Sequence, residues 1–290
     1  MTESVMERVP ASRAVLVEQI RAVGLATRRE LLAVAAPLGA LVLAVAAARL
    51  APSISLQMDA ESIGLNPEDL GYLALFVGLA FPLAVWKGEA PFGDTQLWSL
   101  PVDRPRHALI KVGAGWPWLM GLIATGIFCF ALAALLSGGS VGVSGTRPLL
   151  LDAAGTTEAI PWSTPWWQWA IPFTAATAAY LLATALILGT EHPWRWVAGL
   201  WLGFLAIGLA GEVTEIAWIE EPVLLLLDGT DYALTGGVEA LRGRVVVPGD
   251  EAIWGWHGLP TLGRWGAATA GWLGVGLVAV WATSMRHRHR

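Results

Sequence analysis

The sequence predicts an all-α integral membrane protein with six transmembrane helices, and two observations carry that prediction. Of its 290 residues, 55% are hydrophobic and only 14% are charged, against roughly 25% charged in an ordinary soluble domain. The apolar residues also gather into charge-free runs long enough to cross about 30 Å of hydrocarbon, which takes roughly 17–25 residues of helix. A soluble helical bundle with an aromatic core has no need of runs this long.

The elements follow in chain order. Residues 10–30 read as an amphipathic interfacial helix: Leu16, Ile20 and Val23 fall at i, i+4 and i+7 with arginines around them. The stretch is too polar to span and suits the interface plane ahead of the first span; a soluble helix packed on a partner is the alternative. No apolar h-region precedes residue 31, so the start does not read as a signal peptide. The six runs are Leu31–Ala48, Leu70–Trp86, Val112–Leu136, Trp166–Gly189, Trp196–Gly211 and Trp265–Met285. The second and fifth are short. Pro82 is a candidate kink in the second, and "EVTEIAW" extends the fifth past Glu212. Trp86, Trp116, Trp118, Trp166, Trp167, Trp196 and Trp265 flank the runs, where an indole with an apolar ring and a polar N–H suits headgroup depth.

Lysine and arginine set the orientation. With the N-terminus cytoplasmic, the inside holds Arg8, Arg13, Arg21, Arg28, Arg29, Lys87, Arg104, Arg106, Lys111, Arg195, Arg286, Arg288 and Arg290. The outside holds only Arg49, Arg147, Arg242, Arg244 and Arg264. Both termini are therefore expected in the cytoplasm, in agreement with an even number of spans. The outer segments are then 49–69, 137–165 and 212–264. Residues 137–165 are rich in Gly, Ser, Thr and Pro and read as loop. In the last segment "EVTEIAWIEEPVLLLLDG" is a short apolar stretch between acids, suited to a re-entrant or surface helix, and "GRVVVPGD" reads as a brief strand or extended loop. Residues 1–290 read as one transmembrane domain, 1–30 being its lead-in, with no internal repeat.

One charged, proline-marked island interrupts the apolar pattern: "GDTQLWSLPVDRPRHALIK", Gly93 to Lys111. Asp94 can cap a short helix through Gln96–Leu100, and Pro101 ends it by removing an N–H donor. Pro105 suits the first turn of a helix running through Lys111 into the third span. The result is a cytoplasmic helical elbow between helices two and three, with Leu97, Trp98 and Leu100 beside Arg104 and Arg106. Such an elbow either receives a soluble partner or rests its leucines on lipid headgroups.

The pattern "GE…GDTQLWSLPVDR…LIK" resembles the first cytoplasmic loop of ABC-2 type transporter permeases. Glu89, Thr95, Leu97, Ser99, Leu100, Pro101, Val102, Arg104 and Lys111 fill the places of that loop, while Asp94 and Trp98 depart from it without breaking the turn. The resemblance implies a permease subunit of an ATP-driven exporter in a cell inner membrane, paired with a second permease copy as a homo- or heterodimer. It also implies a cytoplasmic ABC ATPase subunit gripping the elbow. The chain has no G-x-x-x-x-G-K-[ST] stretch, so it is not expected to be an enzyme by itself. It needs no cofactor of its own; ATP and Mg belong to the partner ATPase, and no nucleic acid is implied. Gly199 and Gly203, and Gly266, Ala270 and Gly274, step small residues by about one helical turn, suited to a dimer seam or to packing within one subunit.

Other chemistry finds little support in the residues. His107, His192, His257, His287 and His289 lie outside the runs and form no i, i+4 pair, so no metal or haem site is expected. Glu220 and Glu221 have no companion histidine helix, and Cys129 sits mid-run as a small buried hydrophobe. Glu212 and Glu215, at the outer end of the fifth run, are candidates for an outer gate, because an ionisable group there must face water or a partner; solvated loop acids are the simpler reading. Nearly charge-free spans suit a hydrophobic or amphipathic substrate. The alternative function is a non-transporting structural subunit of a larger membrane complex.

Overall fold

The computed structural model describes residues 12–50, 65–87, 104–142, 144–151, 156–193, 195–199, 202–203, 206, 217–238, 240–246 and 252–286. These residues are mostly helical, and five helices are long and apolar enough to cross a membrane. The lead-in is α1 (Ser12–Ala26) and the first span is α2 (Arg28–Leu50). They meet at Thr27, where the backbone N–H and the hydroxyl both donate to the Val23 carbonyl, at 2.9 and 2.8 Å. The hydroxyl shares the Val23 carbonyl with the ladder bond, and the Leu31 N–H continues the ladder to the Thr27 carbonyl at 2.9 Å.

Helix α3 (Pro67–Val85) opens with Pro67 and carries Glu68 and Asp69 in its first turn, each suited to a helix N-terminus. Helix α4 (Arg104–Ser137) has 34 residues, so at 1.5 Å per residue it is about 51 Å long and outreaches the hydrocarbon core. The expected helix through Lys111 into the third span is therefore observed as one continuous element. A 3₁₀ turn, Trp166–Ala170, leads into α5 (Ile171–Gly189), followed later by α6 (Ala217–Thr235) and α7 (Leu262–Arg286). Helical residues also occur at 193, 195–199, 202–203 and 206, within the expected fifth span; its remainder lies outside the described residues. The apolar stretch after it forms α6, whose Ala233, Leu234 and Thr235 are buried while Leu225, Leu226 and Leu227 are exposed.

Close contacts give the helix directions. Gly71 meets Ile171 and Leu234, and Gly78 meets Ala176, so α3 and α5 run parallel. Trp167 stacks on Trp265 with centroids 5.3 Å apart, Gly276 meets Leu181, and Gly189 meets Thr283, so α5 and α7 also run parallel. Helix α4 runs against α5: Val112 meets Tyr180, while Trp116 meets Thr177. The core between these helices holds Phe81, Val85, Leu119, Ile123, Tyr180 and Leu188. Helix α2 stands at the periphery, with no fully buried residue in its most apolar window.

The departure from an all-helical chain is a four-stranded sheet of order β2-β1-β4-β3, built from β1 (Ser144–Leu150), β2 (Thr157–Ser163), β3 (Arg242–Val246) and β4 (Ala252–Trp256). The expected loop at 137–165 is thus corrected to an antiparallel hairpin, pairing Ser144 with Ser163 through Leu150 with Thr157. Its strand β1 joins β4 in parallel at Leu149 and Trp256, a partner over a hundred residues away that no local composition reveals. The strand reading of "GRVVVPGD" holds, as β3. Trp162 meets Trp256 edge-on at 5.3 Å, and the Arg147 guanidinium lies 5.4 Å from the Trp256 ring.

Two further expectations change. Trp86 and Trp167 are buried in the bundle, while Trp116, Trp166 and Trp196 are exposed; flanking position alone does not separate an interfacial indole from a core one. Among the described residues the small-residue steps show no packing within the chain. A Cβ at Gly199, Gly203, Gly266 or Gly274 would meet nothing within 4 Å among the described residues, and α7 instead packs through Gly276.

Candidate functional site

The end of the molecule from which residues 88–103 depart is built from the start of α2, the end of α3 and the first half of α4. Helix α3 stops at Trp86, whose N–H donates to the Pro82 carbonyl at 2.9 Å. The next residue, Lys87, donates through Nζ to Glu30 Oε1 at 2.7 Å, tying the end of α3 to the start of α2. The pair is exposed on the lysine side, so solvent screening leaves it little energetic worth, but it fixes which two helix ends are neighbours.

On α4 the sequence-predicted residue Lys111 sits two turns in, only 4% exposed. Its ammonium lies 4.8 Å from the centroid of the Trp86 ring. A desolvated cation over an indole face is attracted by the ring quadrupole by about 2 kcal/mol. Ala108 and Val112, on the same side of α4, enter the core beside it. Val112 also accepts the Tyr180 hydroxyl at 2.9 Å, so the same turn of α4 is anchored to both α3 and α5.

The lead-in helix closes on α4 a few turns farther along. Val23 is buried, and Gly24 lies against the Trp118 ring so closely that any Cβ would collide with it. The Trp118 Nε1 donates to the Ile20 carbonyl at 2.8 Å. Leu38, farther along α2, approaches Gly126. Gly24 to Leu38 covers about 21 Å of helix, whereas Trp118 to Gly126 covers about 12 Å. The arm from α1 into α2 packs against α4 at both points and runs in the same direction, the bonds from Thr27 N–H to Val23 and from Leu31 N–H to Thr27, both 2.9 Å, carrying the helical ladder across Thr27.

Of the other residues read from the sequence, Glu89, Thr95, Leu97, Ser99, Leu100, Pro101 and Val102 lie outside the described residues, as do Glu212 and Glu215. Arg104 is described only as the first residue of α4. Lys111 is the predicted position that the structure brings into a defined contact. Sequence reasoning misses its companions: Trp86 and Trp118 read as headgroup anchors, and neither Tyr180 nor Gly24 stands out by pattern alone. A cue exists in the glycine, one residue after the apolar i, i+7 stripe, where a bulky partner on another helix needs room. Among the described residues no group of three or more His, Cys, Asp or Glu is close enough to share a metal ion. No protein-family model, curated protein or solved structure matches the chain.

Proposed function

We propose that the chain is the permease subunit of an ATP-driven ABC-2 type exporter, with six spans and both termini in the cytoplasm of a cell whose inner membrane it occupies. It works as a pair and takes its energy from a separate ATPase chain that grips the elbow between α3 and α4. The observation that supports this most directly is the anchoring of the elbow's two feet. Trp86 and Lys87 precede residues 88–103, and Lys111 follows them; Lys111 rests on Trp86 while Lys87 bridges to Glu30. A push on a segment held this way reaches α2, α3 and α4 together, whereas a loosely tethered connector would dissipate it.

The parallel run of α5 and α7 supports the sixth crossing. The end of α5 and the start of α7 lie at opposite ends of the bundle, so residues 190–261 carry the chain back. The outward-facing small residues of α7 suit a second copy. Nearly charge-free spans suit a hydrophobic or amphipathic cargo.

The test is coupling. Pro101→Ala and Arg104→Ala are expected to insert and melt like the parent while substrate-stimulated ATP hydrolysis by the co-purified ATPase is lost. Variants that hold the ATPase and turn over normally would overturn the assignment, as would failure of the parent chain to retain any ATPase on purification.

A further inference from the structure

We infer that the groove at the junction of α1 and α2 is a binding site for one anionic glycerophospholipid of the leaflet on the α1 side. The site is a groove of about 640 Å³ with Arg21, Arg28, Leu25, Leu32, Ala35 and Trp118 among its lining residues, well within the roughly 300–1,000 Å³ of ligand pockets. Its residues on the α1–α2 arm follow the stripe 21, 25, 28, 32, 35, so one helical face supplies the whole wall. That face is graded. Arg21 and Arg28 flank Leu25 in its first half; Leu32 and Ala35 continue it down the first span, and Trp118 of α4 also lines the groove.

The grading matches the chemistry of a lipid. Two guanidinium groups suit a phosphodiester, to which arginine donates in a fork. Among the described residues Arg21 bonds only Glu18, at 3.4 Å and in the open, and Arg28 makes no side-chain bond. Both are exposed, yet their aliphatic neighbours are too: Leu25 is 74% and Leu32 55% exposed. A free phosphate would use the arginines and leave Leu32 and Ala35 uncovered, whereas an acyl chain beneath the headgroup covers them. The close approach of Gly24 to Trp118 sets α1 against α4 beside the groove, at the level where α2 enters the membrane. Basic pockets beside membrane-entering helices recognise anionic headgroups in this way. The inference stands independently of the exporter reading, since it needs only that α2 enters a bilayer.

The experiment is native mass spectrometry of the full chain in mild detergent, titrated with phosphatidylglycerol and, separately, phosphatidylcholine. One phosphatidylglycerol is expected to be retained per chain in preference to phosphatidylcholine. Arg21→Gln with Arg28→Gln should weaken retention about thirty-fold, at roughly fivefold per basic residue near a membrane surface. Arg147→Gln, in the sheet, should leave it unchanged. Ala35→Phe fills the apolar part of the groove while sparing both guanidinium groups, and should also abolish retention. Equal retention of the two lipids, binding that survives either the arginine or the Phe change, or displacement by 10 mM inorganic phosphate would each overturn the site. Thermal melting of each variant separates loss of the site from loss of the fold, and a variant that does not melt like the parent is replaced by Arg21→Lys with Arg28→Lys. That pair keeps the charge, and is expected to retain phosphatidylglycerol more weakly than the parent but more strongly than phosphatidylcholine.

Discussion

The Tyr180 hydroxyl donates to the Val112 carbonyl across 2.9 Å, fastening α5 to the turn of α4 that carries Lys111. Tyr180 is fully buried, and Gly115 leaves the space its hydroxyl fills. Removing the hydroxyl in Tyr180→Phe keeps the ring volume and deletes one interhelical bond. Such bonds in membrane proteins are worth about 0.6 kcal/mol on average and up to about 1.7. The Phe variant is expected to melt at a lower temperature in mild detergent by an amount in that range. Gly115→Ala should cost more, because the new methyl displaces the ring itself. Unchanged melting in both variants would show that this junction contributes nothing to stability.

Two glycines of α3 set how closely it approaches its neighbours. A Cβ on Gly71 would strike the Leu234 carbonyl, and one on Gly78 the Ala176 carbonyl. Both obstacles are backbone, so a rotamer change gives no relief. Gly71→Ala and Gly78→Ala are expected to destabilise by about 1–3 kcal/mol through overpacking, although alanine is the better helix former. On α4, a methyl added at Gly121 would meet nothing within 4 Å, so Gly121→Ala should stabilise by up to about 1 kcal/mol. Equal melting shifts for Gly78→Ala and Gly121→Ala would mean that α3 and α5 are not this close.

The helices are legible in the sequence because their signal is local. Leu70–Trp86 and Trp265–Met285 differ from α3 and α7 by a few residues at each end, as a charge-free run bounded by polar residues allows. The reach of α4 back to Arg104 follows from Pro105 in its first turn. The sheet is not legible: β1 is held by Ser163 through Thr157 and by Trp256, and its own Gly, Thr and Pro content speaks for a loop. The tryptophans mislead for a related reason. Trp86 and Trp166 both border an apolar run, yet one covers Lys111 and the other is 79% exposed, a difference set by which helix stands opposite. Of the candidate site, the position of Lys111 is readable from the elbow pattern, while its partner is not.

The contact between Lys111 and Trp86 predicts a measurable coupling. Lys111→Met keeps the length of the side chain and removes its charge; Trp86→Leu removes the ring. Each alone should lower the melting temperature, and the double variant should lose less than the sum, by about 0.5–2 kcal/mol. Strict additivity would mean that the ammonium and the indole do not interact, and the end of α3 would then lose its tie to α4 through Lys111.

The parallel pairing of α5 and α7 makes a prediction about sidedness. His192 follows the end of α5 and His257 precedes the start of α7, and both are exposed. In a Cys129→Ala background, His192→Cys and His257→Cys each place one thiol at these positions. A membrane-impermeant maleimide applied to intact cells is expected to label His257→Cys alone, with His192→Cys labelled only after permeabilisation. Labelling of His192→Cys alone would keep the crossing between the two positions but put the termini outside. Labelling of both from the same side would mean that residues 190–261 do not cross. The six-span topology would fail with it, because parallel neighbours that both span must place the end of one and the start of the other on opposite faces of the membrane.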